Sequence, residues 1–227
     1  MTADECDLHG PSVARPLLSP AVIYLIGVPA VGKYTIAKEI GRLTGARVVD
    51  NQLVNLPVFH VLGYDGRDTF PFPKGAWEQI EKIRSAILTV VEDFCSRSDS
   101  FVFTNVLEEG DAAAEALFRR IERLASTRGA GFFPVWLTCK AERLRERKDS
   151  ADRRGRLKDT DVSNVTRYTE KFAVLRLTHP NALDLDTSEE AAESLARRVI
   201  DHIQKVQGRD AEPPNPALHP PPQSRRG

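Results

Sequence analysis

Nine residues near the amino terminus have the types and the spacing of a phosphate-binding loop. Two glycines are separated by four residues, and lysine follows the second glycine. Glycines let backbone N–H groups turn towards an anion, and the amino end of the next helix adds partial positive charge. A lysine supplies a full charge for the β- and γ-phosphates. We predict that all nine bind nucleotide and that Lys33 is also catalytic: Gly27, Val28, Pro29, Ala30, Val31, Gly32, Lys33, Tyr34 and Thr35.

Position 34 departs from the common form of this motif. Serine or threonine usually follows the lysine and holds Mg²⁺, whereas here Tyr34 does and the hydroxyl comes one place later, at Thr35. Mg²⁺ keeps several waters readily, so phosphates, waters and a carboxylate elsewhere in the chain suffice to hold it. We therefore expect ATP and Mg²⁺ as cofactors, with no dedicated set of protein metal ligands. The other interpretation of the loop is an ordinary glycine-rich turn with a surface lysine.

The segments around this loop alternate between strand and helix patterns. An apolar run at 21–27 is typical of a parallel strand buried on both faces, and a helix from Lys33 to Thr44 follows the loop. Further strands are predicted at 46–50, 101–106, 133–138 and 182–186. This alternation indicates an α/β fold, a three-layer doubly wound sheet of five parallel strands. Ligands of such sheets bind at the carboxyl ends of the strands, so residues that follow each strand are site candidates.

Several helices are predicted between these strands. The helical stretch after residue 50 is predicted to break at Pro57. Apolar residues then recur at steps of three and four and predict the core face of one long helix: Trp77, Ile80, Ile83, Ile87, Val91 and Phe94. Helices at about 111–127 and 161–173 follow, and Thr187 or Ser188 is predicted to cap the last helix.

Composition and charge restrict the class of protein. The chain has 227 residues, of which 41% are hydrophobic, and this fits one globular domain with a full core. We predict that the domain spans 20–207, between a disordered leader at 1–19 and a disordered proline-rich tail at 208–227. The net charge is zero, so binding of duplex nucleic acid has no global electrostatic support.

Cysteine usage and hydropathy bear on the compartment. Cys6, Cys95 and Cys139 show no metal-binding spacing and are typical of reduced thiols. No apolar run approaches the roughly 18 residues of a membrane helix, and the amino terminus lacks the apolar segment of a signal peptide. We expect a cytoplasmic protein, a monomer or homodimer, with no nucleic-acid or membrane partner.

Four features together resemble small P-loop kinases. They are the loop at 27–35, the strand that ends at Asp50, an arginine-rich segment at 140–159, and the stretch from His179-Pro180 to Ser188. The similarity covers about 21–206 and is to nucleoside monophosphate kinases, shikimate kinase, antibiotic phosphotransferases and small proteins named AAA family ATPases. The Gly-Lys-x-Thr order looks like that of adenylate-kinase-type loops. The resemblance implies a P-loop NTPase fold and transfer of the γ-phosphate of ATP to a small-molecule acceptor.

The resemblance also implies roles at the strand ends. In shikimate-kinase-like enzymes an acid in the place of Asp50 holds the acceptor or acts as base, and a carboxylate beside a hydroxyl can take its proton. The other interpretation is that Asp50 caps the following helix. The third strand ends without the acid expected there, and Thr104 and Asn105 are candidates for contacting a water of the Mg²⁺ shell. Three loop residues are acceptor-site candidates by position alone: Asp65, Arg67 and Lys74.

Residues at about 148–160 resemble a kinase lid. Cations that close over a transferring phosphoryl group stabilise its charge and exclude water, and guanidinium groups suit phosphates well. Leu144-x-x-Arg147 matches the lid-helix pattern, so Arg147 and Arg153 are candidate catalytic residues and Arg154 a candidate nucleotide ligand. The alternative is a solvated helix on which opposite charges interleave.

Three functions are compatible with the sequence. The first is an ATP-dependent phosphotransferase, and the second is a nucleotide-binding ATPase or regulatory module without an acceptor. A third, a degenerate loop that no longer binds nucleotide, stays open because of Tyr34 and the missing acid on the third strand. A kinase consumes ATP faster when its acceptor is added, whereas a regulatory switch hydrolyses ATP slowly. No residue in 51–75 is specific enough to identify the acceptor.

Overall fold

The computed structural model describes residue 17 and residues 19–67, 69–148 and 151–210. The predicted disordered leader and tail lie almost wholly outside these ranges. The last helix continues to Asp210, so the first residues of the predicted tail are helical.

Five parallel strands form one sheet in the order β2-β3-β1-β4-β5. They are β1 (Ala21–Ile26), β2 (Arg47–Asp50), β3 (Phe101–Asn105), β4 (Gly131–Thr138) and β5 (Leu183–Asp186). Strand β1 is central and fully buried, with Ile23 paired to Val102 of β3 and to Phe133 of β4. The predicted five-stranded parallel sheet is confirmed.

Helices connect these strands. They are α1 (Lys33–Thr44), α2 (Asn51–Leu62), α3 (Ala76–Thr89), α4 (Ala112–Thr127), α5 (Ala141–Lys148), α6 (Ala151–Gly155) and α7 (Ala192–Asp210). A π-helical turn, Val90–Phe94, extends α3. Within the described ranges, no helix has both the length and the apolar character needed to cross a membrane.

Alternate residues of β1 pack on opposite faces of the sheet, because successive side chains of a strand point in opposite directions. Ile23 and Leu25 belong to one hydrophobic core, which also contains the buried residues of α1 and α7. Tyr24 and Ile26 belong to a second core, together with the buried residues of α4. Helices therefore cover both faces, as predicted for a three-layer fold.

Pro57 does not break α2, contrary to prediction. The helix runs through this residue from Asn51 to Leu62. Pro57 is exposed, and so is Leu53, whose carbonyl loses its helical donor when proline stands four residues later. Because this face meets solvent, water can bind the carbonyl and the helix continues.

The stripe from Trp77 to Phe94 is only partly a core face. Ile80 and Val91 are buried, whereas Trp77 is 54% exposed and Phe94 is 79% exposed. Phe94 lies in the π-helical turn, whose wider winding rotates its side chain away from the stripe. Trp77 lies in the first turn of α3 and lines a cavity described below. The prediction of a core position is wrong for both aromatic residues.

The prediction of a regular α-helix over 161–173 is wrong. The helix predicted over 161–173 is a 3₁₀ turn at Val162–Asn164 followed by a π-helical turn at Arg167–Lys171. There the Thr169 hydroxyl donates to the carbonyl of Val165 at 3.1 Å and competes with regular α-helical bonding.

Neither Thr187 nor Ser188 caps the last helix, because α7 begins at Ala192. The Ser188 hydroxyl donates to Oδ1 of Asp186 at 2.5 Å and accepts a bond from the Lys140 amide at 2.9 Å. These bonds join the carboxyl end of β5 to the start of α5. Thr187 turns towards the loop that follows β1.

Candidate functional site

A cavity of about 840 Å³ lies at the carboxyl ends of the strands. This volume is within the range of small-molecule binding sites. Its lining includes seven of the nine predicted loop residues: Pro29, Ala30, Val31, Gly32, Lys33, Tyr34 and Thr35. Asp50, Arg147 and Arg153 also line it, so the structure brings the four predicted catalytic residues to one cavity. Gly27, Val28 and Arg154 are not among its described lining residues.

The ammonium group of Lys33 is held by the loop itself. Its Nζ donates to the carbonyl of Gly27 at 2.7 Å and to that of Val28 at 2.8 Å. These two predicted ligands therefore position the lysine instead of facing the cavity. Burial, together with the positive charges of Lys158 and Arg153, lowers the pKa of Lys33 to about 7. A bound anion would favour the charged form.

The backbone of the loop has the shape of an anion cradle. Ala30 and Gly32 adopt left-handed φ angles of 67° and 100°. Gly32 directly precedes α1, whose first amides have no partner within the helix and carry its positive end. A Cβ atom at Gly27 would lie 2.6 Å from the carbonyl oxygen of Leu137, so only glycine fits beside β4. Phosphate is the ligand that such a cradle suits.

The carboxylate of Asp50 faces the cavity at the end of β2. Its Oδ1 accepts a bond from the Thr104 hydroxyl at 2.5 Å, and its Oδ2 accepts one from Arg156 at 2.7 Å. The Nζ of Lys158 is 3.5 Å from the same Oδ2. Asp50 stands at the N-cap position of α2, but its side chain makes no capping bond. The interpretation of this carboxylate as a helix cap is therefore wrong.

Tyr34 forms a platform beneath the same two cations. The guanidinium carbon of Arg156 lies 3.6 Å from the ring centroid, and the Nζ of Lys158 lies 4.6 Å from it. The Nζ of Lys38, on α1, is 5.0 Å away. Cations are attracted to the face of an aromatic ring. Tyr34 and Asp50 thus hold the end of the arginine-rich segment over the phosphate loop.

Arg147 reaches the phosphate loop through Thr187. It donates to the carbonyl of Thr187 at 2.6 Å and to its hydroxyl at 3.2 Å. That hydroxyl in turn donates to the carbonyl of Val31 in the loop at 2.8 Å. Arg147 also lies 3.4 Å from the thiol of Cys139, a half-buried residue at the edge of the core. The guanidinium is therefore fixed beside the loop, where a phosphate would meet it.

The remaining predicted arginines differ in placement. Arg153 lines the cavity and donates to the carbonyl of Asp159 at 2.6 Å. Arg154 is exposed and is not among the described lining residues. Lys148 is almost fully buried, and its Nζ donates to Oδ2 of Asp159 at 2.7 Å and to the carbonyl of Asp161 at 2.5 Å. The segment is thus more than a solvated helix, because it contains a buried ion pair.

Polar residues end β3 where an acid was expected. The Thr104 hydroxyl binds Asp50 and also accepts a bond from the Asn51 amide at 3.2 Å. The side-chain amide of Asn105 lies 2.9 Å from that of Asn51 and 3.1 Å from the Tyr24 hydroxyl. Both β3 residues line the cavity. Their main visible role is to position Asp50 and the start of α2.

The remaining sequence candidates are spread around the molecule. Arg67 lines the cavity, whereas Asp65 and Lys74 are outside the described lining. His179 is away from the cavity, where its ring packs edge-on against Phe132 and its Nδ1 accepts from the Asn181 amide at 3.1 Å. Burial lowers the pKa of His179, and these contacts indicate a structural role for its ring.

Comparisons with known proteins support the fold. No protein-family model and no curated protein matches the sequence. A gluconokinase from Sinorhizobium meliloti superposes with a TM-score of 0.57 at 15% identity, covering 87% of this chain and 98% of that chain. The fold is that of small P-loop kinases. A kinase candidate from Chloroflexus aurantiacus superposes with a TM-score of 0.57 at 16% identity, covering 81% of this chain and 98% of that chain. A sugar kinase from Janibacter superposes with a TM-score of 0.52 at 16% identity, covering 82% of this chain and 94% of that chain.

Sequence reasoning missed the roles of Arg156, Lys158 and Thr187 around the phosphate loop and Asp50. Arg156 and Lys158 lie in the arginine-rich segment, but no motif distinguishes them from the neighbouring cations. Thr187 follows β5, so the rule that ligands bind at strand ends pointed to it. Its place after a strand and before a helix made it resemble a helix cap instead.

Proposed function

We propose that this chain is an ATP-dependent kinase that transfers the γ-phosphate of ATP to a hydroxyl group of a small molecule. The observation that carries the proposal is the meeting of two chemistries at one cavity. A phosphate loop with Lys33 forms one wall, and the Asp50 carboxylate, surrounded by cations, forms another. The fold shared with solved kinases supports the same conclusion.

Phosphoryl transfer needs positioning and charge stabilisation more than covalent chemistry from the protein. The acceptor oxygen attacks the γ-phosphorus, the bond from this phosphorus to the bridging oxygen breaks, and ADP leaves. In our proposal Lys33 and the loop amides hold the phosphates, and Thr35 contacts one of them. Asp50 orients the acceptor and takes its proton, while Arg147 and Arg153 stabilise the charge on the γ-phosphate oxygens.

The carboxylates of the site fit an Mg²⁺ ion that is bound mainly by the nucleotide. Among the described residues there is no group of three or more histidine, cysteine, aspartate or glutamate residues placed to hold a metal. The acids that line the cavity are Asp50, Asp159 and Glu190, and each is paired with a cation. Mg²⁺ retains waters and phosphate oxygens readily, and it supplies neutralisation of charge on the β- and γ-phosphates.

We further propose that residues 148–160 act as a lid. Arg156 and Lys158 tie this stretch to Asp50 and Tyr34, which would close it over the phosphates. Arg154 is exposed and serves as a nucleotide ligand only if the segment moves inward. The domain that carries these parts is proposed to span 20–207.

Calorimetric titration with a non-hydrolysable ATP analogue, with and without Mg²⁺, tests the nucleotide site. We expect micromolar binding that Lys33→Ala abolishes while the circular dichroism spectrum stays unchanged. Lys82→Ala is the matched control, because Lys82 is exposed on α3 and outside the described cavity lining. Absence of binding to the wild-type protein would contradict the proposal.

Acceptor screening then separates the kinase from its alternative. A kinase forms ADP faster when the right alcohol is added, and Lys33→Ala removes this activity. Slow ATP hydrolysis that no acceptor accelerates would favour the nucleotide-binding ATPase or regulatory module. Turnover retained in Lys33→Ala would exclude both assignments of this loop.

A further inference from the structure

Aromatic rings from α2, α3 and the segment between them line the cavity in addition to the phosphate loop. Phe59, Tyr64, Phe72 and Trp77 all contribute to it. Phe59 is buried, and its ring centroid lies 4.5 Å from that of Tyr64 and 5.4 Å from that of Phe72. The ring of Trp77 lies 5.1 Å from that of Phe72, yet the residue is 54% exposed. A flat molecule in this aromatic wall would cover the exposed indole.

A buried hydrogen-bond acceptor lies beside this aromatic wall. The side-chain nitrogen of Gln52 donates to the carbonyls of Arg156 at 2.8 Å and Leu157 at 3.1 Å, which fixes the orientation of its amide. Its oxygen therefore faces Asn55, and the atom of Asn55 that meets it at 3.3 Å must be the nitrogen. Oδ1 of Asn55 is left without a donor among the described residues, although Asn55 is only 6% exposed.

An unsatisfied buried oxygen is costly, so a donor group in the cavity is the natural partner of Asn55. Asn55 itself lines the cavity. Its Oδ1 has almost no accessible surface in this conformation, so a ligand donor reaches it after a small rotation of the side chain. The position therefore calls for an N–H or O–H group on the molecule that occupies the aromatic wall. This requirement is independent of the rings and points to the same occupant.

The charges nearby favour an uncharged acceptor. Arg156 and Lys158 are paired with Asp50, and Lys148 is paired with Asp159. A carboxylate placed beside Asp50, where the reacting hydroxyl must lie, would have to break one of these partly buried pairs or leave its own charge unpaired, and both are costly. A neutral molecule can occupy the aromatic wall and keep every pair.

We propose that the phosphoryl acceptor is an uncharged alcohol with a planar ring. The ring packs against Trp77 and Phe72, an N–H or O–H group donates to Oδ1 of Asn55, and the reacting hydroxyl reaches Asp50. Nucleosides and aryl alcohols share this chemistry. The inference rests on the proposed kinase function, and it predicts that sugar acids are not the main substrate class.

Tryptophan fluorescence tests binding without requiring turnover. The chain has two tryptophans, and Trp136 is buried at 3% exposure, so Trp77 reports on the cavity. The protein is first saturated with the non-hydrolysable ATP analogue and then titrated with cytidine, 1-phenyl-1,2-ethanediol, gluconate or shikimate. We expect saturable quenching by at least one planar alcohol and none by the two acids. Binding of cytidine would indicate a nucleoside acceptor, and binding of 1-phenyl-1,2-ethanediol would indicate an aryl alcohol.

Variants of Trp77 and Asn55 test whether binding of the planar alcohol depends on the aromatic residues of the cavity and on the Asn55 oxygen. Trp77→Ala and Asn55→Ala are each expected to weaken binding of the planar alcohol by about tenfold, the size of a lost stacking contact or buried hydrogen bond. Calorimetry measures these affinities, since Trp77→Ala removes the fluorophore. Trp77→Phe keeps a ring and should stay within about twofold. Phe94→Ala removes an exposed aromatic residue outside the cavity lining and should change nothing.

The outcomes distinguish this inference from the proposed function. Failure to bind the ATP analogue would overturn the kinase itself. Binding of the analogue, with gluconate or shikimate bound and neither planar alcohol bound, would overturn only the inference about the acceptor. The same conclusion follows if no planar alcohol binds, or if affinity is unchanged in both Trp77→Ala and Asn55→Ala proteins that retain analogue binding.

Discussion

Replacing Asp50 with asparagine removes one charge from the centre of the site while preserving its shape. The Oδ2 of Asp50 is 2.7 Å from Arg156 and 3.5 Å from Lys158, and the Asp50 side chain is 9% exposed. With an effective dielectric constant of about 20, Coulomb attraction to Arg156 alone is about 6 kcal/mol. Desolvation of the ions offsets most of this. We therefore expect a net loss in the free energy of unfolding of about 1–3 kcal/mol.

Guanidinium denaturation of four proteins measures this loss. They are the wild type, Asp50→Asn, Arg156→Gln and the double variant, and we expect a coupling energy of about 1–2 kcal/mol for the contacting pair. Asp184→Asn is the control, because its bond to Arg176 at 2.6 Å has similar geometry but joins side chains that are 63% and 52% exposed. Exposed pairs contribute little, so this control should cost less than about 1 kcal/mol.

Two results would refute the reasoning. One is an Asp50→Asn protein no less stable than Asp184→Asn, and the other is strict additivity of Asp50→Asn and Arg156→Gln. Once the acceptor is known, Asp50→Asn should also lower kcat by about 10²–10⁴-fold. Binding of the ATP analogue should change much less than kcat, because losing a carboxylate that repels phosphate offsets the weaker hold on Arg156 and Lys158.

Three further predictions concern the cations and their platform. With its pKa lowered to about 7, Lys33 is largely neutral above that pH, and a bound phosphate raises its pKa. Binding of the ATP analogue above pH 7 should therefore take up a proton, and its affinity should weaken by up to about tenfold per pH unit. Calorimetry in buffers of different ionisation enthalpy measures both effects, and a wild-type affinity that does not change with pH would contradict the prediction. Lys148→Met leaves Asp159 partly buried without its cation and should lower the free energy of unfolding by about 3–5 kcal/mol in denaturant titrations, whereas a loss below about 1 kcal/mol would show that the pair is dispensable. Tyr34→Phe keeps the ring beneath Arg156 and should retain wild-type affinity for the ATP analogue, while Tyr34→Leu should weaken it by about 2–30-fold; equal affinities of the two variants would exclude the platform.

Local patterns were sufficient for most of the fold. The apolar run of β1 and the step of three or four residues in α1 and α4 reflect properties of short segments, and the structure confirms these elements. The local rules failed where surroundings overrule propensity. Pro57 continues a helix because its face meets water, and Trp77 leaves the core because α3 begins at the rim of a cavity.

The candidate site shows the same division. The loop spacing predicted where a phosphate would bind. The rule that ligands bind at the carboxyl ends of parallel strands predicted that Asp50 and the arginine-rich segment would meet it. The partners of Asp50 could not be predicted, since Arg156 is 106 positions away along the chain and competes with many similar cations. Pairing in this case depends on distance and burial after folding.

The sequence alone predicts the parallel α/β sheet, the phosphate loop and the cations available to bind phosphate. It does so because periodicity, glycine spacing and residue type are local properties. Only the tertiary structure decided that Tyr34 supports Arg156, that Thr187 links Arg147 to the loop, and that an aromatic wall with the unsatisfied Asn55 oxygen completes the cavity. These contacts join residues that are distant along the chain. Their existence depends on how helices and loops pack around the sheet, which no short stretch of sequence encodes.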